Sequence, residues 1–159
     1  MVTRHKPRPP ASEAGTVSIR RVRLEDLPGV IALDEMNTGI AKPEYWRDLF
    51  DRYTQLRRPR YFLIAESAQK IIGFIIGEVR TWEFGSPPCG WVFGIDVRPD
   101  HRQHGVGTQL LDAICAQFRK AGVQKVRTLL SRDNILILSF FRSQGMRASP
   151  IIPLELDLA

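Results

Sequence analysis

The stretch "GWVFGIDVRPDHRQHGVGTQLL", residues 90 to 111, constrains the fold more than any other part of the chain. A run of strand-forming residues ends in Val-Arg-Pro, passes a basic corner with two glycines, and enters an apolar helical stripe. That stripe comprises Val106, Leu110, Leu111, Ile114, Cys115 and Phe118, at the spacing of one helix face, and Gly122 closes it. A further strand, "QKVRTLLS", follows. A strand, a helix and a strand in that order, over residues 91 to 130, require a parallel pair with a right-handed crossover.

The flanking segments fill in the architecture. "TVSIRRV" reads as a first strand. "RLEDLPGVIALDEMN" puts Leu27, Val30, Ile31 and Met36 at helical spacing, although Pro28 and Gly29 weaken that pattern, and "PEYWRDLFDRYTQL" gives a second amphipathic helix built on Trp46, Leu49, Phe50 and Tyr53. "RYFLIAES" and "KIIGFIIGEVRTWEF" are strands joined by Ala68-Gln69, and their short links to "GWVFGIDV" imply antiparallel pairing. "NILILSFFRSQGM" predicts a short helix stopped by Gly145, and "PIIPLELDLA" a final strand. The expected fold class is α/β, a mixed sheet with helices on both faces.

Composition bounds the rest. The chain has 159 residues, 43% of them hydrophobic and 25% charged, as expected of one globular domain over 16–159 preceded by a disordered basic arm at 1–15. No apolar run approaches the roughly 20 residues of a membrane helix, and the arm lacks the apolar core of a secretory signal. The two cysteines, Cys89 in a predicted turn and Cys115 on the helix, carry no disulfide or metal spacing. A cytoplasmic location is therefore the default. The net charge of +6 is concentrated partly in the arm and in "RYTQLRRPR", residues 52 to 60, where solvated loops explain it better than nucleic-acid binding does.

The glycine corner suits an anion. A helix start presents unpaired N–H groups and the positive end of its dipole, and glycine lets a ligand approach the backbone. Arg98 and Arg102 add permanent charge. A dinucleotide fingerprint fails, because Leu110 stands at its third glycine and Lys125, Val126 and Arg127 where an acidic residue belongs. A P-loop fails as well, lacking the four-residue spacing and the Lys-Ser/Thr pair.

The same corner, "VRPDHRQHGVGTQLL", resembles the acetyl-CoA-binding motif of the GNAT superfamily of acyl-CoA N-acyltransferases, with Arg102, Gly105 and Gly107 at its three specified positions. "SIRRVRLEDLPGVIAL", "FLIAES…KIIGFIIG" and "DNILILSFFRSQGM" resemble further segments of that family in its own order, over roughly residues 17 to 147. The resemblance implies a mostly antiparallel sheet flanked by helices, with one parallel strand pair around the cofactor, and a single N-acetyltransferase domain. It implies acetyl-CoA as co-substrate and no metal. The backbone of Gln103, His104, Gly105, Val106, Gly107 and Thr108 would hold the pyrophosphate, and the backbone of Ile95 and Val97 would run along the pantetheine arm.

The implied reaction is direct attack of a primary amine, on a small molecule or a protein, upon the thioester. It asks for a base, an oxyanion donor and a fate for the thiolate. Glu78 is the first candidate base, Asp96 the second and Glu83 the third; the Val97 N–H is the candidate oxyanion donor. The family commonly pairs an Asn with a Tyr seven residues on, the Tyr protonating the thiolate. Here Asn134, which can still hydrogen-bond the cofactor arm, is followed by Phe141, which can pack against that arm but cannot donate a proton, so water protonates the thiolate or it leaves as it is. His101 and His104 lack the further ligands a metal needs and read as loop residues. Asp34 and Glu35 could hold a cationic acceptor, although solvated helix charges explain them equally well. The competing reading, favoured by Phe141, is a catalytically impaired acyl-CoA-binding regulatory module. Nucleic acid ranks last among partners, a membrane is not expected, and a homodimer is left open.

Overall fold

The computed structural model describes residues 15–55 and 57–158. The expected basic arm, Gly15 apart, lies outside the described residues. Two units divide the chain, one running through Thr128 and the other beginning at Leu129.

The first unit contains β1 (Ser18–Arg21), α1 (Leu27–Thr38), α2 (Pro43–Tyr53), β2 (Arg60–Ser67), β3 (Lys70–Arg80), β4 (Cys89–Val97), α3 (Val106–Lys120) and β5 (Val126–Thr128). The five strands form one sheet in sequence order. The first three pairings are antiparallel, and β4 pairs with β5 in parallel, as the crossover requires. Pro28 does not break α1, because it falls in the first turn, where its missing N–H has no intrahelical partner to lose. Arg20 on β1 fixes the approach to that helix by bonding both Asp26 and Glu66.

The alternation of β3 assigns its two faces. Phe74 and Ile76 join Val30, Leu33, Trp46, Leu49 and Phe62 in the core beneath α1 and α2. The opposite face carries α3 in close contact. A Cβ on Gly77 would lie 3.0 Å from the Ile114 and Phe118 side chains, and one on Gly90 would lie 2.5 Å from the Phe118 ring. Bare backbone at these points lets the helix stripe read from the sequence settle on the sheet.

Two features bear on the site. The register of β3 against β4 slips between Ile76, opposite Gly94, and Gly77, opposite Val92. Phe93 is thus an extra residue, a bulge of the kind that bends and twists a strand. The parallel ladder also stops early, its last pair being Val92 with Thr128, while β4 runs on to Val97.

The second unit contains α4 (Ile135–Ser143). Here the sequence reading needs correction. "PIIPLELDLA" forms no strand: none of 150–158 is in a ladder, and Ile152, Leu154, Leu156 and Leu158 are exposed. Alternation specifies which face a strand would bury but supplies no partner, and Pro150 and Pro153 each remove a ladder donor. "QKVRTLLS" contributes only Val126–Thr128 to the sheet. Cys89 begins β4 rather than lying in a turn, and is buried. No helix among the described residues is long and apolar enough to cross a membrane.

Candidate functional site

The backbone of β4 past the bulge is the foundation of the site. Arg98 donates its N–H to the Ile72 carbonyl at 2.8 Å, so the even-numbered residues of this stretch bond to β3. Residues on a strand alternate edges in an antiparallel ladder, which turns the N–H and C=O groups of Ile95 and Val97 the other way. No strand pairs with that edge beyond Val92 within the first unit.

The corner follows directly. Pro99–His101 make a single 3-10 turn, Gln103 takes φ +64°, and Gly105 takes φ +80° as N-cap of α3. The N-cap, Gly105, has no side chain to offer the first turn, and the Val106 and Gly107 amides there have no intrahelical acceptor. Gly105 is required by conformation rather than crowding, since nothing lies within 4 Å of where its Cβ would be. A helix start beside a strand edge that has no ladder partner in the first unit beyond Val92 fits an extended ligand ending in phosphates.

The basic side chains are more engaged than the sequence implied. Arg98 is bonded to Asp100 at 3.1 and 3.3 Å, and His101 Nδ1 lies 2.9 Å from the same carboxylate. These partners hold the Asp100 carboxyl well below the usual range. Arg102 donates from Nε to the Val97 carbonyl at 3.1 Å and from a terminal nitrogen to Asn37 Oδ1 at 3.0 Å. Its guanidinium therefore ties the corner to β4 and α1 while keeping its charge there. His104 is exposed.

The two leading carboxylates have different surroundings. Glu78 sits opposite Trp91 and is clasped by Arg60 at 2.9 Å and Arg80 at 3.3 Å. Burial, helped by Glu78, pushes the nearby Tyr53 hydroxyl up to about 12. Arg80 also lies over the rings of Phe93 and Trp91 at 4.6 and 5.4 Å. Glu78 is four residues along β3 from Phe74, the partner of Asp96, a separation of about 13 Å. Glu83, half exposed, pairs with Arg80 at 3.6 Å.

Asp96 lies at the corner itself, with 22% of its side chain exposed. Its Oδ1 accepts the Asn37 amide at 2.5 Å and the Val97 N–H at 3.0 Å, and Arg102 stands 3.9 Å away. Burial raises its carboxyl above the ordinary value, outweighing the opposing pull of Asn37, the Val97 N–H and Arg102. The structure thus brings Ile95, Asp96, Val97 and the residues from Arg102 to Thr108 together, and leaves Glu78 down the sheet.

Other candidates resolve locally. Asp34 is 5% exposed and accepts from Trp46 Nε1 at 2.8 Å and from Lys42 at 2.9 Å, so it braces α1 against α2. Glu35 is exposed. In the second unit, Asn134 caps α4 by accepting the Ile137 N–H at 3.2 Å, and Phe141 is buried with its ring edge-on to Phe140. Asn37 was missed by the sequence reading. Its only signal was its place three residues after Asp34, on the same helix face, which says nothing of a partner 59 residues away.

The fold is that of the acyl-CoA acetyltransferases: an aminoglycoside N-acetyltransferase in complex with CoA superposes with a TM-score of 0.80 at 19% identity, covering 94% of this chain and 99% of that one. An aminoglycoside antibiotic 6'-N-acetyltransferase from Acinetobacter baumannii gives 0.76 at 17% identity, covering 91% and 100%. In sequence, the L-2,4-diaminobutyric acid acetyltransferase of Nocardia farcinica is 30% identical over 112 residues, 68% of this chain and 56% of that protein. The L-methionine sulfoximine/L-methionine sulfone acetyltransferase of Pseudomonas aeruginosa is 26% identical over 153 residues, 87% and 84% respectively. The chain spans 28% of the length of another relative, the amino-acid acetyltransferase of Edwardsiella ictaluri. The acetyltransferase (GNAT) family profile matches residues 27–146, and the chain belongs to that family.

Proposed function

We propose that the chain is an acetyl-CoA-dependent N-acetyltransferase acting on a primary amine of a small molecule, with Asp96 as general base. The observation that carries the reading is the Asp96 carboxylate itself, part-buried at the end of β4, held by Asn37 and the Val97 N–H and facing Arg102 of the corner. Acetyl-CoA would supply the activated acetyl thioester. The corner amides from Gln103 to Thr108 would hold its pyrophosphate, and the outer edge of Ile95 and Val97 its pantetheine arm.

On this reading Asp96 takes the proton of the attacking amine, directly or through one water, as the new C–N bond forms and the C–S bond breaks. The raised carboxyl suits that role, because a base works best with its pKa closer to the operating pH. Asp96 also controls the oxyanion donor. The Val97 N–H now donates to ionised Asp96, and a charge-assisted bond of this kind is roughly twice as strong as a neutral one. Protonating Asp96 weakens that bond and releases the N–H toward the carbonyl oxygen as its negative charge develops. Glu78, already held by two guanidinium groups, instead organises the aromatic floor of Trp91 and Phe93 through Arg80. The thiolate leaves without a protein acid.

Support for a small-molecule acceptor comes from relatives named for diaminobutyric acid and methionine sulfoximine. A cytoplasmic site of action and a homodimeric assembly belong to the same proposal. Phe141, in place of the family's usual Tyr, favours the second reading of an impaired acyl-CoA-binding module. Incubation with acetyl-CoA and a panel of small amines, followed by mass spectrometry, separates the two: binding without transfer to any amine sinks the enzymatic reading.

A further inference from the structure

We propose that Asn37 is a positioning residue whose single amide sets the Asp96 carboxylate and the Arg102 side chain of the corner together. The inference rests on Asp96 being the base. Asn37 stands in the last turn of α1, and its two amide atoms face two different elements. Its Nδ2 donates to Asp96 Oδ1 on β4, and its Oδ1 accepts from Arg102 beyond β4. Neither bond can be reversed. A guanidinium only donates, so the amide oxygen must face Arg102, and an ionised carboxylate only accepts, so the amide nitrogen must face Asp96. Each partner thereby fixes the orientation of the amide for the other.

The surroundings of Asp96 make this amide consequential. From α1 come Asn37 and the charge of Asp34, the latter paired with Lys42. From the corner comes Arg102, and from β4 itself the Val97 N–H. Across the ladder on β3 stands Phe74, which offers no polar group. Asn37 is the largest influence opposing the effect of burial on the carboxyl. Without its donor the base would hold its proton to higher pH, and the Arg102 tether would lose its anchor on α1.

The decisive variant is Asn37→Asp. It keeps the shape and an acceptor for Arg102, loses the donor to Asp96 and adds a like charge. The acid limb of kcat/KM for the amine is expected to move up by about one pH unit or more, with KM for acetyl-CoA little changed. Asn37→Leu removes both bonds and is expected to move the same limb and raise KM for acetyl-CoA about tenfold. A wild-type pH profile in Asn37→Asp would mean that the residue merely props Arg102, and would overturn the proposal.

A direct readout separates this inference from the assignment of the base. The Asp96 carboxyl titration is followed by carbon-13 NMR in the full chain, in wild type and in Asn37→Asp, with melting curves to confirm folding. If Asp96→Asn retains the wild-type rate and pH profile, the base assignment fails, and the NMR midpoint alone decides the role of Asn37. A midpoint displaced upward supports the positioning role, and an unmoved midpoint overturns it.

Discussion

Replacing Gly105 by alanine isolates what the corner backbone contributes. Gly105 holds φ +80°, and no atom lies within 4 Å of the position a Cβ would take, so the change brings strain without a clash. An L-residue in the left-handed region costs roughly 1–2 kcal/mol. Strain of that size lowers Tm by about 2–8 °C for a protein of this size, and relaxing φ to relieve part of it turns the first amides of α3 away from their common direction. Losing the equivalent of one such hydrogen bond weakens acetyl-CoA binding by about tenfold. The matched control is Gly122→Ala, since Gly122 has φ +81° and equally open surroundings at the far end of α3. The helix between them, Val106–Lys120, is about 22 Å long, so the control leaves the corner untouched. Melting curves and titration calorimetry with acetyl-CoA are to be run on both. Gly105→Ala is expected to lose both stability and affinity, and Gly122→Ala stability alone. Equal acetyl-CoA affinity in the two variants would refute the reasoning that this backbone binds the cofactor.

Two further predictions address the acid–base groups. Phe141→Tyr is expected to change kcat less than threefold, because a thiolate with a free pKa of about 8.5 is a competent leaving group; a gain of 10²-fold or more would show that an acid is missing. Asp96→Asn is expected to raise Tm at neutral pH. A carboxyl whose folded-state pKa is raised stabilises the fold below its unfolded value and loses that contribution as pH rises through the folded value, above which the wild type carries a part-buried charge that the amide removes. The Tm difference should shrink on acidification toward the range where Asp96 is protonated, and a constant difference in differential scanning fluorimetry across pH would contradict the assignment.

Local elements were legible where the pattern was local. The α3 stripe from Val106 to Phe118, the left-handed stop at Gly122 and the parallel pairing of β4 with β5 all follow from spacing and chain length. What spacing could not supply was partnership. The alternation of Ile152, Leu154, Leu156 and Leu158 resembles that of a paired strand, yet no ladder forms on it. Glu78 and Asp96 were both acidic residues on neighbouring strands. They part company because two arginines reach Glu78 while an amide from α1 reaches Asp96. The pairing of Asn37 with Asp96 depends on where α1 lies on the sheet, which no local window contains.

The most direct test compares wild type and Asp96→Asn for acetyl transfer from acetyl-CoA to a panel of small primary amines as a function of pH. The expected result is transfer to at least one amine by the wild type, with a rate that falls on the acid side. In Asp96→Asn, kcat should drop by about 10²–10⁴-fold while acetyl-CoA binding is retained. Transfer at the wild-type rate with an unmoved pH profile in Asp96→Asn would contradict the assignment of the base, and the absence of transfer by the wild type to any amine would contradict the enzymatic reading itself.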